Sequence, residues 1–399
     1  MIGGAISAVN ARHGASAMIA LPDPEASIRV LFSCTAGEGH FRPLLPLARA
    51  FAAAGDDVAF AAPAESAAIE SSGFRHLPAG IGVEEVNARF APKREKLAAM
   101  PPHERRPFVF TWRFAETDAP AKVDDLHAAA TSWSPDLMVY ESADLSAPIV
   151  AATLGVPAVH HAFGRMVPVE AFTRAAESIA PLWRARGLEP PPLCGAFAGA
   201  YVDICPPSFQ TNRPPVGTHV EWLRPVTAVP PTPTDPPTVY VTLGTAFNEL
   251  ELFRVLLEAV AEVDCSVIAT IGRNNDPGAL GAVPPNVQVE RYVPQEEILP
   301  RCAATIGHGG SGSTLAALAY GLPMLLVPQG ADQFENAKAC AELGVARVLM
   351  PGEMAVDAVH DALVDLLADP VYRERARTVA AEIADMPPAE VVASTLRSS

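Results

Sequence analysis

An α/β fold with two parallel sheets is predicted by three observations. A strand–helix–strand rhythm opens at Ile28, the rhythm restarts at Val239, and a dense proline cluster lies between the two runs. Parallel strands need a crossover connection, most often a helix. In the first run Ile28-Arg29-Val30-Leu31-Phe32-Ser33 reads as a strand and Ala36-Gly37-Glu38-Gly39-His40 as a turn. Leu44, Leu45, Leu47, Ala48 and Phe51 then recur at helical spacing up to a C-capping Gly55. Strands are expected at 58–61, 136–140 and 156–159, with an alanine-rich helix at 146–154 closed by Gly155. Residues 91–120 and 164–200 are rich in Arg, Pro and aromatics with weak periodicity, and they read as long irregular insertions.

Pro225, Pro230, Pro231, Pro233, Pro236 and Pro237 crowd one stretch and predict an extended spacer. Beyond it strands are expected at 239–243, 266–271, 287–291, 303–306 and 324–327, and helices at about 249–262, 313–320 and 371–385. The expected organisation is a loose leader over 1–27, one α/β domain over 28–224, the linker 225–238, and a second domain over 239–399 whose final helix packs back.

Lys and Arg number 29 against 45 Asp and Glu, a formal charge of −16. Nucleic acid and anionic membranes need a basic footprint and are excluded as partners. With 49% apolar and 19% charged residues the chain has the composition of a globular protein with a sizeable core. The 40 prolines are about twice the ordinary ~5% and argue against a helical bundle. Six scattered cysteines with no C-x-x-C spacing read as buried small apolar residues in a reducing compartment. Residues 302–331 carry no charge, but eight glycines and prolines break the stretch as a membrane span. With no signal peptide in view, a soluble cytoplasmic protein is expected, as monomer or homodimer.

The chemistry concentrates in Gly307-His308-Gly309-Gly310-Ser311-Gly312-Ser313-Thr314, between a predicted strand and helix. Glycines admit close backbone approach, and a helix N-terminus favours an anion. The loop lacks the lysine of a Walker A motif, which points to a diphosphate held without metal. Asp332 and Gln333 follow the next strand, where side chains of this kind suit sugar hydroxyls. Tyr292 offers a face to a base, and Gly244-Thr245 ends strand 239–243. All four places lie at carboxyl ends of strands, where open α/β sheets bind ligands.

The run from Arg291 to Ala337 resembles the nucleotide-sugar signature of family 1 glycosyltransferases, the inverting UDP-glycosyltransferase superfamily of GT-B fold. Within it the chain looks most like actinobacterial natural-product enzymes that use dTDP- or UDP-sugars. The resemblance implies two Rossmann-like domains facing a cleft, no cofactor and no metal, with a nucleotide sugar and a small hydrophobic acceptor as substrates. By position it implies base stacking on Tyr292 and a backbone contact from Val293. His308, Gly309, Gly310, Gly312, Ser313 and Thr314 would hold the diphosphate, with Gly244 and Thr245 near it, and Asp332 and Gln333 would hold the sugar.

In the first half His40 follows the first strand, where the resembling family places the base that deprotonates the acceptor. A free imidazole, with a pKa of about 6.5, accepts a proton near neutral pH. Plant members of the resembling family place an orienting Asp in the helix before a Gly-Val-Pro-like strand start. Counted back from Gly155 that position is Ile149 here, so Glu141 and Asp144 are the substitutes, and Glu141 is the choice. Phe41, Phe110, Trp112, His160 and Phe163 are expected to line the acceptor pocket. Two rival readings are a non-catalytic nucleotide-sugar-binding partner of another transferase and a GT-B nucleotide-sugar epimerase. The presence of His40 and the aromatic insertions argue against both.

Overall fold

Small and β-branched apolar residues fill the strands, and the central ones are buried on both faces, as sheets covered by crossover helices require. The computed structural model describes residues 26–100, 102–232, 234–244, 250–273 and 275–398. Most of the expected leader and Thr245 therefore fall outside the described residues.

The first sheet holds β1 (Arg29–Ser33), β2 (Asp57–Ala62), β3 (Arg75–Pro78), β4 (Leu137–Glu141), β5 (Ala158–His161), β6 (Tyr201–Asp203) and β7 (Val220–Trp222). Its order is β3-β2-β1-β4-β5-β6-β7, with every pair parallel. The second holds β8 (Thr238–Thr242), β9 (Ser266–Thr270), β10 (Val287–Glu290), β11 (Cys302–Gly307), β12 (Met324–Leu326) and β13 (Ala346–Val348), ordered β10-β9-β8-β11-β12-β13 and again all parallel. Both sheets thus follow the doubly wound order 3-2-1-4-5-6, the first with one extra edge strand. Each reverses direction between its first and fourth strands, at β1/β4 and β8/β11, and a crevice opens at such a point.

Residues 91–120 and 164–200 correct the expectation of irregular insertions, because most of their length is helical. Pro102–Phe110 runs into a π-helical stretch, Thr111–Asp118, and on into Ala119–Trp133. A π turn shifts the apolar positions out of the 3.6-residue period, and Pro107 adds a further break, so the pattern was masked. The helix Val169–Arg184 buries Ala171, Phe172, Ala175, Ile179, Ala180 and Trp183 on one face, an apolar stripe that Pro168 and Pro181 punctuate in the sequence.

The uncharged stretch 302–331 forms β11, the helix Ser311–Ala319 and β12. Among the described residues no helix is long and apolar enough to cross a membrane. All six cysteines are free and buried. The chain recrosses to the first half at its end. Arg224 donates to the carbonyls of Ala384 (2.6 Å) and Met386 (3.1 Å), the helix Ala389–Ser398 packs on the helix Leu45–Ala53, and Arg397 pairs with Asp56 at 2.6 Å.

Candidate active site

At the first switch point β1 leads into a turn at Gly37 (φ 122°) and the short helix Glu38–Phe41, which carries His40. The adjacent strand β4 ends in Glu141, so neighbouring strand ends bring the two side chains together. His40 Nδ1 lies 3.2 Å from Glu141 Oε1, with the ring N–H off the line to the oxygen: a close polar contact and not a straight hydrogen bond. Glu141 is wholly buried and accepts from the Thr35 N–H (3.1 Å), the Thr35 hydroxyl (2.8 Å) and the Ala143 N–H (2.6 Å). Burial by itself would raise its pKa. The charge of His40 and these hydrogen bonds outweigh burial and bring it down to about 2, so the acid is ionised at any physiological pH.

Asp144, the other acid weighed for His40, is engaged elsewhere. It pairs with buried Lys122 at 2.7 Å and accepts from Ser33 Oγ (2.6 Å) and Ser146 Oγ (2.5 Å). Lys122 also donates to the carbonyls of Cys34 (2.6 Å) and Ala61 (3.2 Å), which ties the ends of β1, β2 and β4 together beneath His40. Asp118, at the end of the π-helical stretch, is a further acid that sequence reasoning missed. Burial pushes its carboxyl up to about 6, against the pull of Arg113 (3.6 Å) and His40. Arg113 in turn donates to the carbonyl of Ala36 in the His40 turn (3.0 Å).

The aromatic expectations divide. Phe163 lies beside His40, ring centroids 4.9 Å apart, and Phe114 of the first aromatic insertion lies at 5.7 Å. Phe110 backs Phe114 and Phe172, each at 5.3 Å. Trp112 packs instead on Phe90 and under the Lys93 ammonium. Phe41 and His160 are corrections to the pocket lining. Phe41 is in the core against Phe60 (5.0 Å). His160 is buried and stacked on Tyr140, with Nδ1 on the Ala196 carbonyl (2.9 Å) and Nε2 on Ser142 Oγ (2.8 Å). Burial lowers its pKa to about 3. Both adjacent histidines at the end of β5 are buried, because the strand is covered on both faces, and sequence alone does not say which neighbours await them.

At the second switch point Gly244 follows β8, and the loop from Gly307 follows β11. Here the glycines serve the His308 ring. A Cβ at Gly244 (φ 74°) would stand 2.6 Å from His308 Cε1, and one at Gly310 would stand 2.9 Å from the same atom. Burial lowers the His308 pKa to about 4 against the pull of Asp332, so the ring is neutral at pH 7. Nothing lies within 4 Å of a Cβ at Gly312, whereas one at Gly309 (φ 82°) would meet the Gln333 carbonyl at 3.1 Å. Ser313 Oγ donates to the Gly310 carbonyl (3.1 Å), and buried Thr314 Oγ1 has no partner. Asp332 accepts from Ser311 Oγ (2.6 Å) and Asn336 Nδ2 (3.0 Å). Gln333 is 2% exposed, and its Oε1 accepts from the N–H groups of Gln329 (2.7 Å) and Gly330 (3.0 Å), so that end of the amide shapes the loop. Tyr292 is covered by the Arg273 guanidinium, 3.6 Å from the ring centroid, with Arg42 from the first half at 5.8 Å. Val293 packs partly buried against the core.

Comparison with known proteins bears on this arrangement. Residues 49–221 match the N-terminal domain, and 254–397 the C-terminal domain, of the family described as erythromycin biosynthesis protein CIII-like. The chain is 30% identical to the L-demethylnoviosyl transferase of Streptomyces niveus, over 92% of this chain and 97% of that one. It is 29% identical to the 3-alpha-mycarosylerythronolide B desosaminyl transferase of Saccharopolyspora erythraea, with the same coverage. Among solved structures, the glycosyltransferase SsfS6 of Streptomyces sp. SF2575, complexed with thymidine diphosphate, superimposes with a TM-score of 0.76 at 25% identity over 93% of this chain and all of that one. Two switch-point sites on doubly wound sheets, both family domains and these relatives place the chain among the erythromycin biosynthesis protein CIII-like enzymes: it is an inverting, metal-independent natural-product glycosyltransferase of GT-B fold.

Proposed function

We propose that His40 is the general base and Glu141 its orienting acid in transfer of a sugar from a thymidine diphosphate sugar to a hydroxyl of a hydrophobic natural product. The observation that carries this reading is the His40–Glu141 pair at the β1/β4 switch point. Because Nδ1 faces an ionised carboxylate, Nε2 is the nitrogen that takes the acceptor proton. The freed oxygen attacks the anomeric carbon as the bond from that carbon to the diphosphate oxygen breaks, and the diphosphate leaves with the electron pair. Glu141 stabilises the imidazolium formed, and the Phe114 and Phe163 rings give an apolar wall for the acceptor. On the donor side His308, the N-terminus of the helix Ser311–Ala319 and Thr314 Oγ1 meet the diphosphate. Asp332 meets sugar hydroxyls, and Tyr292 meets the base once Arg273 yields its face. Thymidine is favoured by the ligand of SsfS6.

The test is His40→Ala. Turnover falls at least ~10²-fold while calorimetric affinity for thymidine diphosphate stays unchanged. Transfer at the wild-type rate by that variant would refute the assignment of the base.

A further inference from the structure

Between β5 and the helix Val169–Arg184, three consecutive residues each touch a different part of the two sites. The Phe163 ring lies 4.9 Å from His40. Gly164 is buried against Ser311, the residue whose hydroxyl donates to Asp332. Arg165 donates through Nη1 to the Glu335 carbonyl (2.8 Å) on the helix Gln333–Leu343, through Nε to the Phe209 carbonyl (3.1 Å), and through Nη2 to Thr211 Oγ1. Arg106 from the same half pairs with the Glu335 carboxylate. One tripeptide thus links the proposed base to the loop and helix that carry the donor residues.

We infer that Phe163-Gly164-Arg165 is a positioning element that sets His40 against the donor loop, with Gly164 as the seat and Ser311 as its counterpart. The steric fit is what makes the claim specific. A Cβ at Gly164 would stand 2.5 Å from Ser311 Cβ, closer than carbon atoms approach, and closer still to its hydroxyl. Any larger residue forces the two halves apart or tips the Phe163 ring off His40. The nearest remaining Ser311 atom is its Cα at 3.9 Å, so removing the Ser311 side chain would restore room for one Cβ. Arg165 fixes the angle of approach: its planar fork is engaged on three sides, one of them across the cleft. A misplacement of about 1 Å costs on the order of 10²-fold in rate. A shift of this kind leaves the diphosphate loop intact and is felt in turnover.

The inference rests on the proposed role of His40, and a double-mutant cycle separates the two. Gly164→Ala, Ser311→Gly and the pair are compared using thymidine diphosphate glucose with any acceptor that the wild-type enzyme glycosylates. Gly164→Ala is expected to lower kcat at least ~10-fold, keep thymidine diphosphate affinity within about 2-fold, and raise donor hydrolysis relative to transfer. In the Ser311→Gly background the same change is expected to cost less than about 2-fold. Arg165→Gln gives a second route should Gly164→Ala fold poorly: kcat falls with donor affinity kept. The cycle read in denaturant midpoints needs no substrate and is expected to show the same rescue by Ser311→Gly. Wild-type kcat in Gly164→Ala, or a penalty unchanged by Ser311→Gly in both readouts, overturns the inference. A His40→Ala variant with full turnover overturns the role of His40 and leaves the steric coupling to be judged on the midpoints.

Discussion

The two switch points use the same topology for opposite kinds of site. At β1/β4 the polar groups are side chains held by buried partners: Glu141 has three hydrogen bonds besides His40, and Asp144 is saturated by Lys122, Ser33 and Ser146. At β8/β11 the working surface is backbone and glycine, and three buried polar atoms, His308 Nδ1, Thr314 Oγ1 and Asn336 Oδ1, have no hydrogen-bond partner; at β1/β4 His40 Nδ1 and both Asp118 carboxylate oxygens are likewise without one. A buried polar atom without a hydrogen bond costs about 1–3 kcal/mol, so the donor half carries a cost that a bound anion or hydroxyl can offset. At the first site the acid facing His40 is held in one geometry by its own hydrogen bonds, while at the second the unpartnered atoms lie on the glycine-rich loop and the helices beside it.

The largest effect expected on the acceptor side is structural. Lys122→Met leaves Asp144 ionised and buried, and the midpoint of denaturant unfolding should fall by the equivalent of about 3–5 kcal/mol. A loss under ~1 kcal/mol would mean that the pair beneath His40 is dispensable and that this half is less tightly built than its hydrogen bonds imply. Next comes Glu141→Gln, which keeps the shape and removes the charge. Turnover should drop about 10–100-fold, the cost typical of an orienting partner, with thymidine diphosphate affinity unchanged. A matching loss of donor affinity would dissolve the distinction between the halves.

How much of this was legible in the sequence follows the same division. The glycine-rich loop and His40 announce themselves because strand, turn and helix are consecutive there, and Glu141 is found by looking for an acid at a strand end. The doubly wound order was implied by the βα rhythm, but β6 and the edge strands β7 and β13, three residues each, are too short to leave a periodic trace. Lys122, Asp118 and Arg113 were invisible because they ride on helices whose period the π-helical stretch breaks. The contact between Arg165 and Glu335 joins residues 170 apart, and only the packing of one half on the other brings them together. Phe41 and His160 sat beside good candidates and proved to be core, since proximity in sequence says nothing about which face a side chain occupies.

On the donor side Gly310→Ala sharpens the comparison at smaller magnitude. Gly310 has φ −64° and ψ 143°, a conformation open to alanine, so the only penalty is the Cβ pressing on the His308 ring. Thymidine diphosphate affinity should weaken about tenfold, or about 1.4 kcal/mol, with the unfolding midpoint little changed. Unaltered affinity by calorimetry would remove His308 from the donor site.

A pH-dependent effect, small at any one pH near neutrality, separates the histidines of the first half by their protons. His160 is held neutral in the fold, its pKa lowered to about 3 from the ordinary 6.5. Its contribution to stability is therefore complete above pH 6.5 and is lost as pH falls toward 3, because the unfolded chain takes up a proton that the fold refuses. His161 and His308, each lowered to about 4, add slopes of the same sign. His160→Asn should cost stability at pH 7 through the lost bonds to Ala196 and Ser142, yet flatten the decline of stability between pH 6 and 4. The flattening is up to about 1.4 kcal/mol per pH unit, the value for one proton. Urea midpoints measured across that range give the slope directly. An unchanged slope would show that His160 titrates alike in both states, and that burial does not hold it neutral.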